Sequence, residues 1–163
     1  MTSPALDRTL ETLELMARAE EAVKRLYETC AGLWKHDEDF WQGLAEEERC
    51  HAEIIRTMAA MLSGNPDSFE TGRPFSAVAL KTFISGIEQQ IEQVKGSAMP
   101  ELKAMHVAWD IEQAFIETRY AEVVKTDDKR FRDLAAEIIQ ETAVHRRMVG
   151  KKITEMQASG AKS

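Results

Sequence analysis

Apolar side chains recur at three- and four-residue spacing along most of this chain, and this periodicity constrains the fold more than any other feature. Leu6, Leu10 and Leu13 begin one such series, which continues to Trp34. The spacing places apolar side chains on one face of an α-helix, because a helix turns about once in 3.6 residues. Proline and glycine interrupt helices and number only 4 and 8 in 163 residues, so long helices are possible.

Turn-forming residues divide the periodic pattern into four long helices and one shorter helix. Ser3-Pro4 begins the first segment, Ser63-Gly64-Asn65-Pro66 ends the second, and Gly96-Ser97 ends the shorter one. We predict an all-α single domain over residues 1–163 with its core over about 5–155. The predicted long helices span about 4–35, 37–62, 100–126 and 128–156, and the shorter helix spans about 75–95.

The connections between these helices predict how they pair. The first and second long helices are joined by a short turn, as are the third and fourth, so each pair is expected to form a helical hairpin. A connection of about 40 residues, which carries the shorter helix, separates the pairs. The prediction is therefore a four-helix bundle of two hairpins joined by a long crossover.

Carboxylate and imidazole side chains interrupt the predicted apolar stripes. Glu and His seldom lie unpaired in a core, because removing a charge from water is costly. A metal ion is the usual reason for several to lie there together. The residues on the inner stripes are Glu20, Glu47 or Glu48, His51, Glu112, Glu141 and His145.

A single Glu-x-x-His motif occurs easily by chance, so the coincidence of four helices carries the metal prediction. Aligning His51 with His145 also aligns Glu47 with Glu141, which indicates a repeated helix pair. Such a pair suits a pseudo-twofold site for two adjacent cations. Carboxylates neutralise their charge, and imidazole suits iron, manganese and zinc. Carboxylate bundles for di-iron use a similar ligand pattern.

The segment Leu44-Ala45-Glu46-Glu47-Glu48-Arg49-Cys50-His51 resembles the second-helix motif of rubrerythrin-like members of the ferritin-like superfamily. Glu20 followed by Tyr27 is similar to the first helix of that family. The resemblance covers about residues 5–155 and implies a ferritin-like four-helix bundle. It implies metal ligands at Glu20, Glu48, His51, Glu112 and His145, with Glu141 replacing the carboxylate that the family has where this chain has Thr142.

The resemblance also implies an activity. Two iron ions, with manganese or zinc as alternatives, would react with hydrogen peroxide or dioxygen. Tyr27 is the candidate catalytic residue, because a hydrogen bond to a ligand would tune the site. The chain has no Cys-x-x-Cys tail, so electrons are expected from a separate donor such as a rubredoxin-like protein. A homodimer is also expected.

Two other functions stay open at this point. Thr142 in place of the family's carboxylate favours a protein that binds iron or another metal with little catalysis. The other alternative is a helical scaffold whose metal site has decayed.

Charge and cysteine content indicate the compartment and exclude some partners. The net charge of −7 argues against a nucleic-acid surface, which needs clustered Lys and Arg. No secretory signal is evident, and no apolar run approaches the roughly 18 residues of a membrane span. Cys30 and Cys50 are interpreted as reduced thiols of a cytoplasmic protein, and a disulfide between them is the less favoured alternative.

Overall fold

The computed structural model describes residues 3–73, 76–114 and 120–160. Six α-helices and two short strands occur in these ranges, so the all-α prediction is confirmed. The helices are α1 (Pro4–Leu33), α2 (Glu38–Gly64), α3 (Ala77–Lys95), α4 (Glu101–Glu112), α5 (Tyr120–Val123) and α6 (Lys129–Gly160), and the strands are β1 (Phe69–Thr71) and β2 (Val124–Thr126).

Local hydrogen bonds explain where the helices begin. The Ser3 hydroxyl accepts a hydrogen bond from the Leu6 amide at 3.2 Å, and the carboxylate of Asp128 accepts one from the Phe131 amide at 2.9 Å. Both satisfy an amide that has no partner within the helix. Asp37 directly precedes α2, but its side chain makes no cap and pairs with Lys152 instead. A short 3₁₀ turn, Lys35–Asp37, joins α1 to α2.

The helix predicted over 100–126 is wrong at its C-terminal end, where residues 120–123 are helical but residues 124–126 form a strand. Its first half is α4, which ends at Glu112, and residues 115–119 lie outside the described ranges. The predicted helix then gives way to β2, which pairs antiparallel with β1 in the register Phe69↔Thr126. β-Branched Val124 and Thr126 favour a strand, and pairing with a distant segment outweighs the helical periodicity.

Four helices, α1, α2, α4 and α6, surround a shared interior. α1 contacts α2 and α4, and α6 contacts the same two helices, so the four form a closed ring of neighbours. The crossover helix α3 packs on α1. Two buried apolar clusters fill the interior, one around Leu13, Ile55 and Ile138 and the other around Val23 and Val149. Along α1, α2 and α6 the polar residues described below lie between these clusters.

Among the helices of the described ranges, none is both long enough and apolar enough to cross a bilayer.

Candidate metal centre

Five predicted ligands meet inside the ring of helices. α1 contributes Glu20, α2 contributes Glu48 and His51, α4 contributes Glu112, and α6 contributes His145. All five are between 0% and 3% exposed. Three carboxylates at this depth are costly unless something of opposite charge compensates them.

These residues form two groups that share one carboxylate. Glu20, Glu48 and His51 make the first group, and Glu48, Glu112 and His145 make the second. In each group the nitrogen and oxygen atoms that could bind a metal lie within 4.8 Å of one another. Each group could therefore hold a metal ion, and Glu48 lies between the two positions.

The two oxygens of Glu48 face different histidines. Oε1 is 3.4 Å from Nδ1 of His145, and Oε2 is 3.6 Å from Nδ1 of His51. His145 Nδ1 is also 3.5 Å from Oε2 of Glu112. This spacing is longer than a good hydrogen bond, and it suits a carboxylate that bridges two cations.

Several of these atoms lack a hydrogen-bond partner in the described part of the chain, which is unusual for buried polar groups. A pair of cations would satisfy them together, so the side chains fit a dinuclear metal site. The atoms are Glu48 Oε1 and Oε2, His51 Nδ1, Glu112 Oε2 and His145 Nδ1.

The electrostatics of the cluster reflect its mixed charges. Burial alone would raise the pKa of Glu48, but its neighbours Glu20, His145 and His51 lower that pKa. Burial and the charge of Glu48 raise the pKa of Glu112. Burial alone would lower the pKa of His145, yet the Glu112 and Glu48 carboxylates raise it to about 10. The metal-free cluster thus favours positive charge at its centre, as a cation would supply.

Tyr27 forms a hydrogen bond to a candidate ligand. Its buried hydroxyl donates to Oε1 of Glu112 at 2.7 Å. The other oxygen of Glu112, Oε2, faces Nδ1 of His145. Tyr27 therefore orients a candidate ligand from outside the two groups.

Glu141 lies apart from the five buried residues. Its side chain is 33% exposed, and its Oε2 lies 2.9 Å from Nε2 of His51. Nδ1 of His51 faces Glu48, and Nε2 faces the carboxylate of Glu141. A carboxylate at the second ring nitrogen is typical of residues that orient a histidine ligand. The inner position on α6, one turn before His145, belongs to Thr142, which is buried and whose hydroxyl lacks a hydrogen-bond partner among the described residues.

A further Glu/His group was missed by the sequence analysis. His36, Asp37 and Glu101 bring their nitrogen and oxygen atoms within 4.8 Å of one another where the α1–α2 turn meets α4. Periodicity carries no signal for this group, because Glu101 is distant in sequence and His36 lies in a turn. A third possible group, Glu47 with His51 and Glu141, is less buried and uses the same histidine as the first group.

Comparisons of the chain with protein-family models, with curated proteins and with solved structures find no match. The helices and the site nevertheless define a class. This is an all-α protein whose buried Glu and His side chains could hold metal ions.

Proposed function

We propose that this chain is a dinuclear metal oxidoreductase of rubrerythrin type, built on a ferritin-like four-helix bundle, that reduces hydrogen peroxide or dioxygen. The observation that carries the proposal is the position of Glu48, shared by two buried groups with one oxygen directed to each histidine. A structural carboxylate does not need this arrangement. A carboxylate that bridges two cations does.

Iron is the metal that we propose, with manganese or zinc as alternatives. Three carboxylates and two imidazoles suit all three metals. When bound, two ferrous ions would supply the two electrons that convert one hydrogen peroxide and two protons into two waters. Zinc cannot supply electrons, so a zinc-loaded protein would lack the activity.

The chain's own residues would hold and shape such a site. Glu48 and the Nδ1 atoms of His51 and His145 face the interior, while Tyr27 holds Glu112 by its outer oxygen. Glu141 fixes the orientation of His51 from behind. Burial keeps bulk water from these groups, which strengthens their electrostatic interactions.

The proposal includes two partners, an electron donor and a second copy of the chain. We propose a separate electron donor, such as a rubredoxin-like protein. Within the described residues the two cysteines, Cys30 and Cys50, are free thiols. A homodimer is proposed as well, and light scattering of the purified chain tests it.

Thr142 favours a second candidate function, which is metal binding with little catalysis. It occupies the buried α6 position where a further carboxylate would complete a more symmetrical ligand set. A cation in the group with His145 would then have fewer protein ligands and bind less tightly. The number of metals bound per chain separates this candidate from the first.

The test is elemental analysis after anaerobic loading with ferrous iron and desalting, followed by a peroxide-consumption assay. Wild type is compared with Glu48→Ala/His51→Ala and with Glu53→Ala/His106→Ala, a control that removes the same residue types from exposed positions. Two irons per chain in wild type and in the control, lost in the Glu48/His51 variant, would support the proposal. One iron without peroxide turnover would favour the second candidate. No bound iron would overturn both and leave the scaffold alternative.

A further inference from the structure

Three aromatic side chains lead from the end of α1 towards the candidate metal centre. The ring centroids of Trp34 and Trp41 are 6.1 Å apart, and those of Trp41 and Tyr27 are 5.8 Å apart. Trp41 and Tyr27 are fully buried, whereas Trp34 is half-buried. The series therefore has one end near the surface and the other in the interior.

The inner end is one hydrogen bond from a candidate ligand. The Tyr27 hydroxyl donates to Oε1 of Glu112, and Oε2 of Glu112 lies 3.5 Å from Nδ1 of His145. A phenol is much easier to oxidise when its proton can move to a base within hydrogen-bond distance. Glu112 is such a base, so Tyr27 is suited to exchange single electrons with the centre.

Trp41 also has a base at its N–H. Its Nε1 donates to Oε1 of Glu101 at 3.1 Å, and Oε2 of Glu101 lies 2.7 Å from Nε2 of His36. The side chain of His36 is 69% exposed. One-electron oxidation makes an indole N–H strongly acidic. Glu101 can accept that proton, and His36 connects Glu101 to solvent.

We propose that Trp34, Trp41 and Tyr27 carry single electrons between a one-electron donor protein at the Trp34 surface and the metal centre. This inference rests on the proposed function, in which hydrogen peroxide is the final oxidant. The alternative is that the three rings only pack the core, where buried Tyr and Trp commonly find hydrogen-bond acceptors. Packing alone predicts no movement of a radical between them.

Each transfer balances in electrons and protons. Once hydrogen peroxide had oxidised the centre, Tyr27 would give it one electron, and the phenol proton would move to Glu112. An electron from Trp41 then restores Tyr27, the proton returns from Glu112, and the Trp41 N–H proton moves to Glu101. The reduced donor restores Trp41 by way of Trp34, and Trp41 regains its proton from Glu101.

The test uses metal-free protein, so it does not depend on metal binding. Tyr27 and Tyr120 are the two tyrosines of the chain, and a Tyr120→Phe background makes any tyrosyl radical that of Tyr27. A soluble ruthenium polypyridyl complex is excited by a light flash and oxidised by a cobalt(III) ammine in the buffer. The oxidised complex then removes one electron from the protein in mildly alkaline buffer. The sample is then frozen, and electron paramagnetic resonance separates tyrosyl from tryptophanyl radicals.

We expect a tyrosyl radical in the background protein. Trp41→Phe interrupts the series, and its tyrosyl yield should fall about tenfold, the effect of a barrier increase of about 1.4 kcal/mol. Trp109→Phe is the matched control, because Trp109 is a half-buried tryptophan that packs on Gly150 and is not one of the ring pairs of the series, and it should leave the yield unchanged. Trp34→Phe removes the half-buried entry point and should also lower the yield, which keeps the test valid if Trp41→Phe fails to fold.

Equal tyrosyl yields in the background, Trp41→Phe and Trp34→Phe proteins would overturn the inference, as would the absence of a tyrosyl radical from all of them. The iron-loading experiment tests the proposed function independently of the radical experiment. A protein that binds iron but shows no transfer between the rings loses only this inference. A protein that transfers the radical but binds no iron loses the proposed function, and only electron transfer among the three rings is then supported, without a metal centre at its end.

Discussion

The carboxylate of Glu48 lies at the junction of the two candidate metal positions. Glu20 contributes only to the group with His51, and Glu112 contributes only to the group with His145. Removing a shared ligand and removing an unshared ligand should therefore have different effects. This difference tests the site one residue at a time.

We predict that Glu48→Gln abolishes iron binding, whereas Glu20→Gln leaves about one iron per chain in the group formed by Glu48, Glu112 and His145. The amide is close in size to the carboxylate but carries no charge, so the change removes a ligand with little loss of packing. Elemental analysis after ferrous loading measures the result. Glu11→Gln, at an exposed position of the same helix as Glu20, is the control. Equal iron content in Glu48→Gln and Glu20→Gln would contradict a bridging role.

Glu141→Gln should weaken iron binding without changing the number of irons bound. Its Oε2 accepts a hydrogen bond from Nε2 of His51, and loss of such an outer partner typically lowers metal affinity by about 10- to 100-fold. A competition titration against a chelator measures the affinity. Glu137→Gln, one turn earlier and exposed, should leave it unchanged. Loss of one iron per chain would instead make Glu141 a direct ligand, as the sequence analysis expected.

At the scale of single helices, periodicity predicts which face is buried but not which of two neighbouring residues lies deepest. Glu141 and Thr142 are four and three residues before His145, and both spacings keep a side chain near the same face. Tertiary packing turns Thr142 inward and leaves Glu141 partly exposed behind His51. The same limit left Glu47 and Glu48 as alternatives on α2, where the structure buries Glu48.

The strand β2 shows a second limit of helical periodicity. Its backbone hydrogen bonds go to β1, which precedes it by more than fifty residues, in the register Glu70↔Lys125. Pairing over such a distance leaves little trace in a local pattern, because alternation over three residues cannot be told from part of a helix. By contrast, Ser3 and Asp128 act within their own helix starts, and such local capping could be predicted.

Two glycines within helices should respond in opposite ways to replacement by alanine. A methyl group at Gly150 of α6 would lie 2.9 Å from Cζ3 of Trp109 on α4, whereas one at Gly86 of α3 meets nothing within 4 Å. Gly86→Ala should stabilise the protein by about 1 kcal/mol through helix propensity. Gly150→Ala has the same propensity gain, but overpacking against a half-buried indole costs about 1–3 kcal/mol.

Chemical denaturation monitored by circular dichroism measures the free energy of unfolding of both variants. We expect Gly150→Ala to have a lower free energy of unfolding than Gly86→Ala, because the added methyl group disturbs the contact between α4 and α6. Equal stabilisation by the two substitutions would show that α4 and α6 do not pack as closely as the position of Trp109 requires.

At the scale of the whole molecule, the candidate site connects four helices. Glu20, Glu48, Glu112 and His145 come from α1, α2, α4 and α6, whose contacts form a closed ring. Helical stripes and resemblance together predicted these residues, because each lies on the buried face of its own helix. Their assembly into two groups depends on how α4 and α6 dock on α1 and α2, which no local pattern specifies.

A metal held by all four helices should stabilise the fold as a whole. An ion that binds the folded chain and not the unfolded one raises the free energy of unfolding, by about 2.7 kcal/mol at a free concentration of 100 times its Kd. We therefore predict a higher free energy of unfolding in wild type with ferrous iron under anaerobic conditions. A chelator should reverse this effect, because it removes the ion from the folded state.

Glu48→Gln separates this metal effect from the intrinsic stability of the helices. The variant should unfold at the same denaturant concentration with and without iron, since it has lost the ligand common to both groups. If iron does not raise the free energy of unfolding of wild type, the buried carboxylates do not bind it. In that case they repel one another without compensation, and Glu20→Gln or Glu112→Gln should stabilise the chain, as expected for a scaffold with a decayed site. A gain from iron that Glu48→Gln lacks requires the metal to bind between the helices, because only there does Glu48 reach both groups.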